Sequence, residues 1–589
     1  MEGKYTEIAM KNTKNTMKTQ DSDGKGSDAA LTVDRRSFLR ASLLAGGALV
    51  ARPLSARAPF VAAESNSFLA TTKAGMVHGK VEDGIIVFKG VPYGAPPTGA
   101  LRFMPPVPPA PWTGVRDALQ FGDRCPQVSG PTAPVWRSWD RQTGESEDCL
   151  VLNVWTPALR DGRRRPVMVW FHGGGFTSGS GSDTVYDGAR LCQQGDVVLV
   201  TLNHRLNAFG YLYLAELGGE KYAGSGNVGQ LDLVLALKWV RDNIMEFGGD
   251  PDNVMIFGES GGGGKVSVTL AMPAAKGLFH RAAIQSCLGL RGMTREAATK
   301  KAKEFMAALQ LQPGQVEELQ KLPVPKLLDA VQAVTQGMPG GFEPVVDGTV
   351  LPRDSFTPDA PTVSANVPII VGYTKTEATI VLLSYDKGES TAMLPAPNAF
   401  SLDWTTLPQA LTPILGDYTG EVVALSRRKY PQASASDLYF QITTERSIGL
   451  SAIALAERKS EQGRAPAFLY RLDWETPIEG GRLRSPHSLD LPMVFNNVAK
   501  SDSLIGSGAV EAQKVADAMS SVWIAFAHTG RPDAKGLPHW PPYETKTRAT
   551  MIFNVTSKVV NDPDLELHKI LKGTCGRGAQ PIFTCDDLK

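Results

Sequence analysis

This chain has little of what several common function classes require. Its 61 Lys and Arg almost cancel its 60 Asp and Glu, leaving a net charge of +1 over 589 residues. No run of basic residues in the body would track a phosphate backbone, so nucleic acid is not an expected partner. There is no Cys-x-x-Cys and no His-Glu-x-x-His, so a structural or catalytic zinc is not indicated. Histidine is scarce, at eight residues, and cysteine scarcer, at six; each can be weighed individually.

The first 63 or so residues read as an address. A polar, lysine-containing leader reaches Asp34-Arg35-Arg36-Ser37-Phe38-Leu39-Arg40, followed by the weakly apolar stretch Ala41 to Ala51. This resembles a twin-arginine export signal and predicts a periplasmic or secreted protein. The apolar part falls short of the ~20 residues that cross a bilayer, so no permanent membrane anchor is expected. Val61-Ala62-Ala63 offers small residues for cleavage, with Ala56-Arg57-Ala58 competing. Export makes the cysteines readable. Cys125 and Cys149 bracket a loop rich in Pro, Gly and Ser, and closing such a loop contributes roughly 3 kcal/mol in the chain-entropy picture, so a bridge is predicted there. Cys575 and Cys585 form a second candidate pair, while Cys192 and Cys287, beside apolar strands, read as buried thiols.

From residue 68 or so, continuous apolar runs alternate with helical stretches: Val167 to Phe171, Val197 to Leu202, Val254 to Phe257, Ala282 to Gln285, Pro368 to Val371 and Ala467 to Leu472. Such runs are the pattern of strands buried on both faces of a mostly parallel sheet, so the fold class is α/β. Leu231, Val234, Leu235, Lys238 and Trp239 follow helical spacing and predict one apolar stripe. The proline-rich segment from Val91 to Trp112 reads as extended surface coil. A charged, Ala- and Leu-rich region at about 290–340 predicts inserted helices, and residues 64–589 read as one domain.

The stretch Val254-Met-Ile-Phe-Gly258-Glu259-Ser260-Gly261-Gly262-Gly263-Gly264-Lys265-Val266 raises two chemistries. A phosphate loop ending at Gly264-Lys265 would need Gly at 259 and a hydroxyl at 266; Glu and Val stand there, so that reading fails. Gly-x-Ser-x-Gly directly after a strand is met by Gly258, Ser260 and Gly262, the glycines sitting where a side chain would collide in the tight turn that exposes a nucleophile. Gly261 would then aim its amide at a developing oxyanion at a helix start. Gly263 and Gly264 cost up to ~1 kcal/mol each in helix propensity, which implies close packing or flexibility there.

A serine nucleophile needs a base and a group that orients the base, in the order Ser, then Asp or Glu, then His. Of the histidines, His78, His172 and His204 precede the serine, His280 leads into the next strand, and His528, His539 and His568 lie in the C-terminal tail; His487, in a loop after the strand ending near Leu472, is the candidate. Glu377 follows the strand Pro368 to Val371 and is the candidate acid, at the sheet edge where α/β proteins gather ligands. His172-Gly173-Gly174-Gly175-Phe176 follows another strand and can present amides to an oxygen anion. Gly224-Ser-Gly226-Asn-Val-Gly229 matches a dinucleotide fingerprint in letters, but polar loop precedes it, so an oxidoreductase reading is weak.

These residues resemble the type-B carboxylesterase family, which includes cholinesterases and bacterial para-nitrobenzyl-type esterases. Phe247 through Gly262 is similar to its nucleophile signature, and Glu147-Asp-Cys-Leu-Val-Leu-Asn-Val-Trp-Thr-Pro157 to a second one, with Val151 where an aromatic or Thr is usual. The likeness runs from Phe88 to Tyr543. It implies an α/β-hydrolase fold with a helical cap over a gorge, Ser260 as nucleophile, His487 as base and Glu377 as its partner. It further implies oxyanion amides at Gly174, Gly175 and Gly261, supporting positions at Ser286 and Asp490 beside Glu259, and the Cys125–Cys149 disulfide. His204 and Leu233 depart from the family's usual Tyr and Gln. The implied activity is hydrolysis of a small-molecule carboxylic ester through an acyl-enzyme, without a cofactor. The alternatives are an amidase or lipase using the same triad, and a non-enzymatic binding domain. Trp136 and Trp139, in the loop between Cys125 and Cys149, are candidates for ligand stacking.

Overall fold

The computed structural model describes residues 68–128, 134–336, 341–380, 398–506 and 510–577. The export signal and Cys585 lie outside them. An eleven-stranded sheet runs in the order β14-β13-β12-β11-β10-β9-β7-β8-β6-β4-β3. Its members are β3 (Lys80–Glu82), β4 (Ile85–Pro92), β6 (Val151–Thr156), β7 (Arg165–Phe171), β8 (Val198–Leu202), β9 (Gly249–Glu259), β10 (Arg281–Gln285), β11 (Ile369–Thr374), β12 (Ala467–Leu472), β13 (Ala549–Phe553) and β14 (Lys558–Asn561). From β8 through β13 every neighbouring pair is parallel, and antiparallel strands close both edges. The remaining strands, β1 (Leu69–Thr71), β2 (Met76–His78) and β5 (Val115–Asp117), make a separate small sheet.

The unbroken apolar runs are explained by burial on both faces. On β7, Val167, Val169 and Phe171 join one core while Met168 and Trp170 join the other. On β9, Val254 and Ile256 face the first and Met255 and Phe257 the second. Side chains alternate across a strand, so a strand covered on both sides needs an apolar residue at every position. The helix Val510–Thr529 covers the second face with Val515, Met519 and Trp523. The helices Val228–Asn243 and Gly261–Ala271 cover the first.

Three expectations are corrected. The helix around Leu231 forms, Val234 and Trp239 are buried and Lys238 is exposed at the edge of the stripe, but Leu231 and Leu235 are half-buried, while Leu233, Ala236, Leu237 and Val240 are fully buried. It is enclosed on most sides, and its Asp232 turns inward to a bidentate ion pair with Arg205, at 2.6 and 2.9 Å. The proline-rich segment is largely coil but not superficial. Val91 and Pro92 finish β4, Tyr93 and Phe103 are buried, and Arg102 reaches Glu147 and the carbonyls of Leu319 and Leu322 in the inserted helical region. That region consists of helices Arg295–Ala308, Val316–Leu319 and Val324–Thr335. Finally, Cys125 and Cys149 are free, buried thiols. Cys125 Sγ donates to the Pro126 carbonyl at 3.6 Å and accepts the Leu206 amide at 3.3 Å. Cys192 and Cys287 are buried and free, as expected, and Cys575 is disulfide-bonded.

Candidate active site

Four strands of the parallel run, with β10 between β9 and β11, deliver the candidate residues to one end of the sheet. β7 leads into the Gly173–Gly175 loop, β9 into Ser260, β11 into Glu377, and β12 into the loop carrying His487. Ser260 has φ 57° and ψ −123°, a backbone state that costs a non-glycine residue roughly 1–3 kcal/mol and persists only where packing enforces it. The enforcement is visible in the glycines. A Cβ on Gly262 would overlap the Phe171 carbonyl, one on Gly258 would lie 2.5 Å from the Gly262 carbonyl carbon, and one on Gly261 would overlap the backbone of Gly175. The elbow and the glycine loop are therefore in backbone contact. Gly263 is also accounted for, since its Cβ would come within 2.7 Å of the Gln285 carbonyl. At Gly264 the nearest atom would be Phe176 at 3.4 Å, so space alone does not require glycine there.

Gly174 and Gly175 have φ of 82° and 62°, the left-handed region that glycine enters at little cost. Among the described residues, the amides of Gly174, Gly175 and Gly261 donate to no backbone or side-chain acceptor, leaving them available to an anion beside Ser260.

The Glu377 and His487 loops hold each other. The His487 amide donates to the Glu377 carbonyl at 3.1 Å, Thr376 and Ser485 exchange two hydrogen bonds, and Glu377 Oε1 accepts the Thr374 amide at 2.7 Å. Glu377 Oε2 then lies 2.5 Å from His487 Nδ1. The other ring nitrogen, Nε2, lies 3.2 Å from Glu259 Oε1, and no hydrogen bond joins it to Ser260 among the described residues. Such bonds commonly close only when substrate is bound. Glu259 Oε1 also accepts the Ser488 hydroxyl at 2.9 Å.

A third carboxyl stands behind this pair. Asp490 Oδ2 accepts from Gln285 at 2.8 Å and Tyr470 at 2.7 Å, while Oδ1 has no partner. Burial, reinforced by neighbouring carboxylates, pushes Glu259 up to about 8 and Asp490 up to about 6. Burial alone would lower His487, but Glu259 and Glu377 overcome it and push the imidazole up to about 10. An imidazolium is therefore strongly favoured at this position.

The sequence reading missed Gln285 and Tyr470, whose only signals were a polar residue at the C-terminal end of β10 and a tyrosine within the buried β12. It also had no means of pairing Glu259 with His487. Ser286, with φ 50°, donates its amide to Gly372 at 2.8 Å, and its hydroxyl is buried without a partner. Trp136 sits edge-on to His487, ring centroids 6.5 Å apart, whereas Trp139 is buried in the core. Gly226 and Gly229 pack tightly against Val345 and Arg205, which accounts for two of the three glycines of the dinucleotide-like string by packing; Gly224 has room for a side chain.

A family model described as "Carboxylesterase family" matches residues 66–569. The chain is 36% identical over 504 residues to the para-nitrobenzyl esterase of Bacillus subtilis (strain 168), covering 85% of this chain and 97% of that protein. It is 32% identical to the phenmedipham hydrolase of Pseudarthrobacter oxydans, covering 82% and 94%. Among solved structures, a Geobacillus stearothermophilus carboxylesterase superposes with a TM-score of 0.74 at 35% identity, covering 85% of this chain and 99% of that one.

Proposed function

The chain belongs to the carboxylesterase family and is a carboxylic ester hydrolase; from that premise we propose that it works through an acyl-enzyme formed on Ser260, with His487 and Glu377 completing the triad. The Ser260 oxygen attacks the ester carbonyl carbon as His487 Nε2 takes its proton. The carbonyl oxygen becomes an anion received by the amides of Gly174, Gly175 and Gly261. The tetrahedral adduct collapses, the imidazolium returns the proton to the departing alcohol, and water repeats the sequence on the acyl-enzyme. The observation that carries this reading is the 2.5 Å contact of His487 Nδ1 with Glu377, at the sheet edge where Ser260 meets the glycine loop. Glu377 orients the ring, and the surrounding carboxylates favour the imidazolium formed during attack.

Trp136, edge-on to His487, supplies an aromatic wall next to the reacting centre, and the B. subtilis relative is named for a para-nitrobenzyl ester. Aryl and arylmethyl esters are therefore the substrates to assay first; amides and longer-chain lipids use the same chemistry and belong in the same panel. Residues 1–63 are proposed to export the chain before the domain at 64–589 acts outside the cytoplasm. The test is hydrolysis of p-nitrophenyl acetate and butyrate by the parent and by Ser260→Ala. The variant is expected to fall to the rate of the nucleophile-free background, and an unchanged rate would remove Ser260 from the mechanism.

A further inference from the structure

Lys265 sits on the second turn of the nucleophile helix Gly261–Ala271 and is completely buried. Desolvation drives its pKa well below the usual 10.5. Among the described residues it enters no ion pair, and the acceptor of its Nζ is the carbonyl oxygen of His172 at 2.8 Å. Stability alone would favour an apolar side chain there, because a buried amine without a carboxylate forfeits its hydration. The cost falls at a telling place. His172 is the first residue after β7, and its carbonyl belongs to the peptide bond that opens the Gly173–Gly175 loop.

That loop needs holding. Consecutive glycines have no side chains to fix their peptide planes and rotate cheaply. A rotation of the His172–Gly173 peptide would swing the following amides away from Ser260, whose Cβ lies 3.6 Å from where a Gly173 Cβ would be. The Lys265 backbone is itself pinned, its carbonyl accepting from the Thr269 hydroxyl at 2.7 Å and the Gln230 amide at 3.4 Å. The amine thus projects from a fixed helix to a fixed point at the root of the loop. A donor on a peptide carbonyl also polarises that peptide.

We propose that Lys265 is a positioning residue for ester hydrolysis: by holding the His172 carbonyl it fixes the His172–Gly173 peptide plane, the root of a loop whose next two carbonyls are held by His172 Nδ1 and by Thr177 and Ser178, in the orientation that receives the oxyanion. The inference rests on the assignment of Ser260 and the loop amides made above. Lys265 touches no reacting atom; it acts through the loop.

The test compares Lys265→Met, which keeps the length and removes the donor, with Lys265→Gln, which restores an N–H donor. Functional sites are counted by stoichiometric fluorophosphonate labelling. Expected for Lys265→Met is a loss in kcat of about 10- to 100-fold, smaller than the ~10²–10³ for removing a direct donor, with KM within about 3-fold of the parent. An alkyl trifluoromethyl ketone should lose affinity by the same factor as kcat, because Ser260 adds to its carbonyl carbon and leaves an alkoxide in the loop. Lys265→Gln should recover part of both. A role confined to folding would lower the number of labelled sites and leave kcat per site and ketone affinity unchanged, and that result overturns the proposal. If Lys265→Met does not accumulate as folded protein, Lys265→Leu, which also lacks the donor, is read in its place, and parental kcat per labelled site and ketone affinity in it have the same meaning. Activity persisting in Ser260→Ala would instead overturn the underlying assignment, so the two failures are distinguishable.

Discussion

Two buried charge clusters in this molecule are built from the same residue types to opposite ends. At the candidate active site, His487 stands between Glu377 and Glu259, with Asp490 close behind, and apart from His487 itself the described hydrogen-bond donors to these carboxylates are a backbone amide, Ser488, Gln285 and Tyr470, all uncharged. At the C-terminal end of the fold, His568 stands between Glu445 and Asp562, at 2.8 and 3.2 Å. There, however, Arg471 pairs with Glu445, Asp473 and Asp564, and Arg548 pairs with Glu457 and Asp562. Burial alone would raise Asp564, yet Arg471 and Lys429 pull it well below the usual carboxylate range. Glu259 and Asp490, lacking such partners, are left raised. A charge-balanced cluster acts as a cross-link, here tying β11 and β12 to the helix Leu565–Lys572 through Glu445. An unbalanced one keeps protons in play, which is the requirement for moving one between serine, imidazole and leaving group.

The comparison is broken most sharply by removing one member from each cluster. Glu377→Gln should cut kcat by about 10⁴, because the imidazole loses its orienting acceptor. Arg471→Met should leave kcat per labelled site unchanged and cost about 3–5 kcal/mol in denaturant unfolding, because Glu445 and Asp564 lose their shared cation. Equal losses of activity and stability in both variants would erase the distinction between the clusters.

A smaller effect is expected from Glu259→Gln. The carboxylates hold His487 up to about 10, and the base must be neutral to accept the serine proton, so activity falls as pH drops through the imidazole's titration. Removing one anion lowers that pKa, and the acid limb of kcat/KM should move to lower pH by about one unit. A limb that stays in place or moves upward would show that Glu259 does not act on the ring electrostatically.

The smallest effect concerns the balanced cluster. His568 is raised to about 9 by Asp562 and Glu445 against the opposing effect of burial. A folded pKa above the unfolded ~6.5 means that its stabilisation is complete below about pH 6.5 and is lost as pH rises through about 9. Unfolding free energies of the parent should fall across that window, and His568→Gln should flatten the fall; His487 contributes with the same sign, so the informative quantity is the difference between parent and variant. Identical pH slopes would contradict the assignment of a charged His568.

The sheet was legible in the sequence because burial on both faces writes an apolar residue at every position of a central strand, as Val167 to Phe171 and Val254 to Phe257 do. The triad candidates were legible because the elbow dictates an order along the chain, leaving His487 as the one histidine suitably placed downstream. What stayed hidden depends on contacts made only after folding. Lys265 read as half of a failed phosphate motif, since nothing local says that its amine ends on the His172 carbonyl. The contact of Glu259 with His487 joins residues far apart in sequence. The burial of Tyr93, Arg102 and Phe103 within a proline-rich coil comes from partners beyond the segment, including Glu147 and the carbonyls of Leu319 and Leu322. The Cys125–Cys149 bridge was inferred from the loop between them, and two free, buried thiols stand in its place, Cys125 hydrogen-bonded to the Pro126 carbonyl and the Leu206 amide.

The most direct test of the mechanism is to find where an ester-like reagent becomes covalently attached. Treatment of the folded protein with a fluorophosphonate, followed by intact-mass measurement and peptide mapping, is expected to show a single adduct on Ser260, with activity falling in proportion to labelling and no adduct in Ser260→Ala. An adduct on another residue accompanied by the same loss of activity, or full labelling of Ser260 with activity intact, would contradict it.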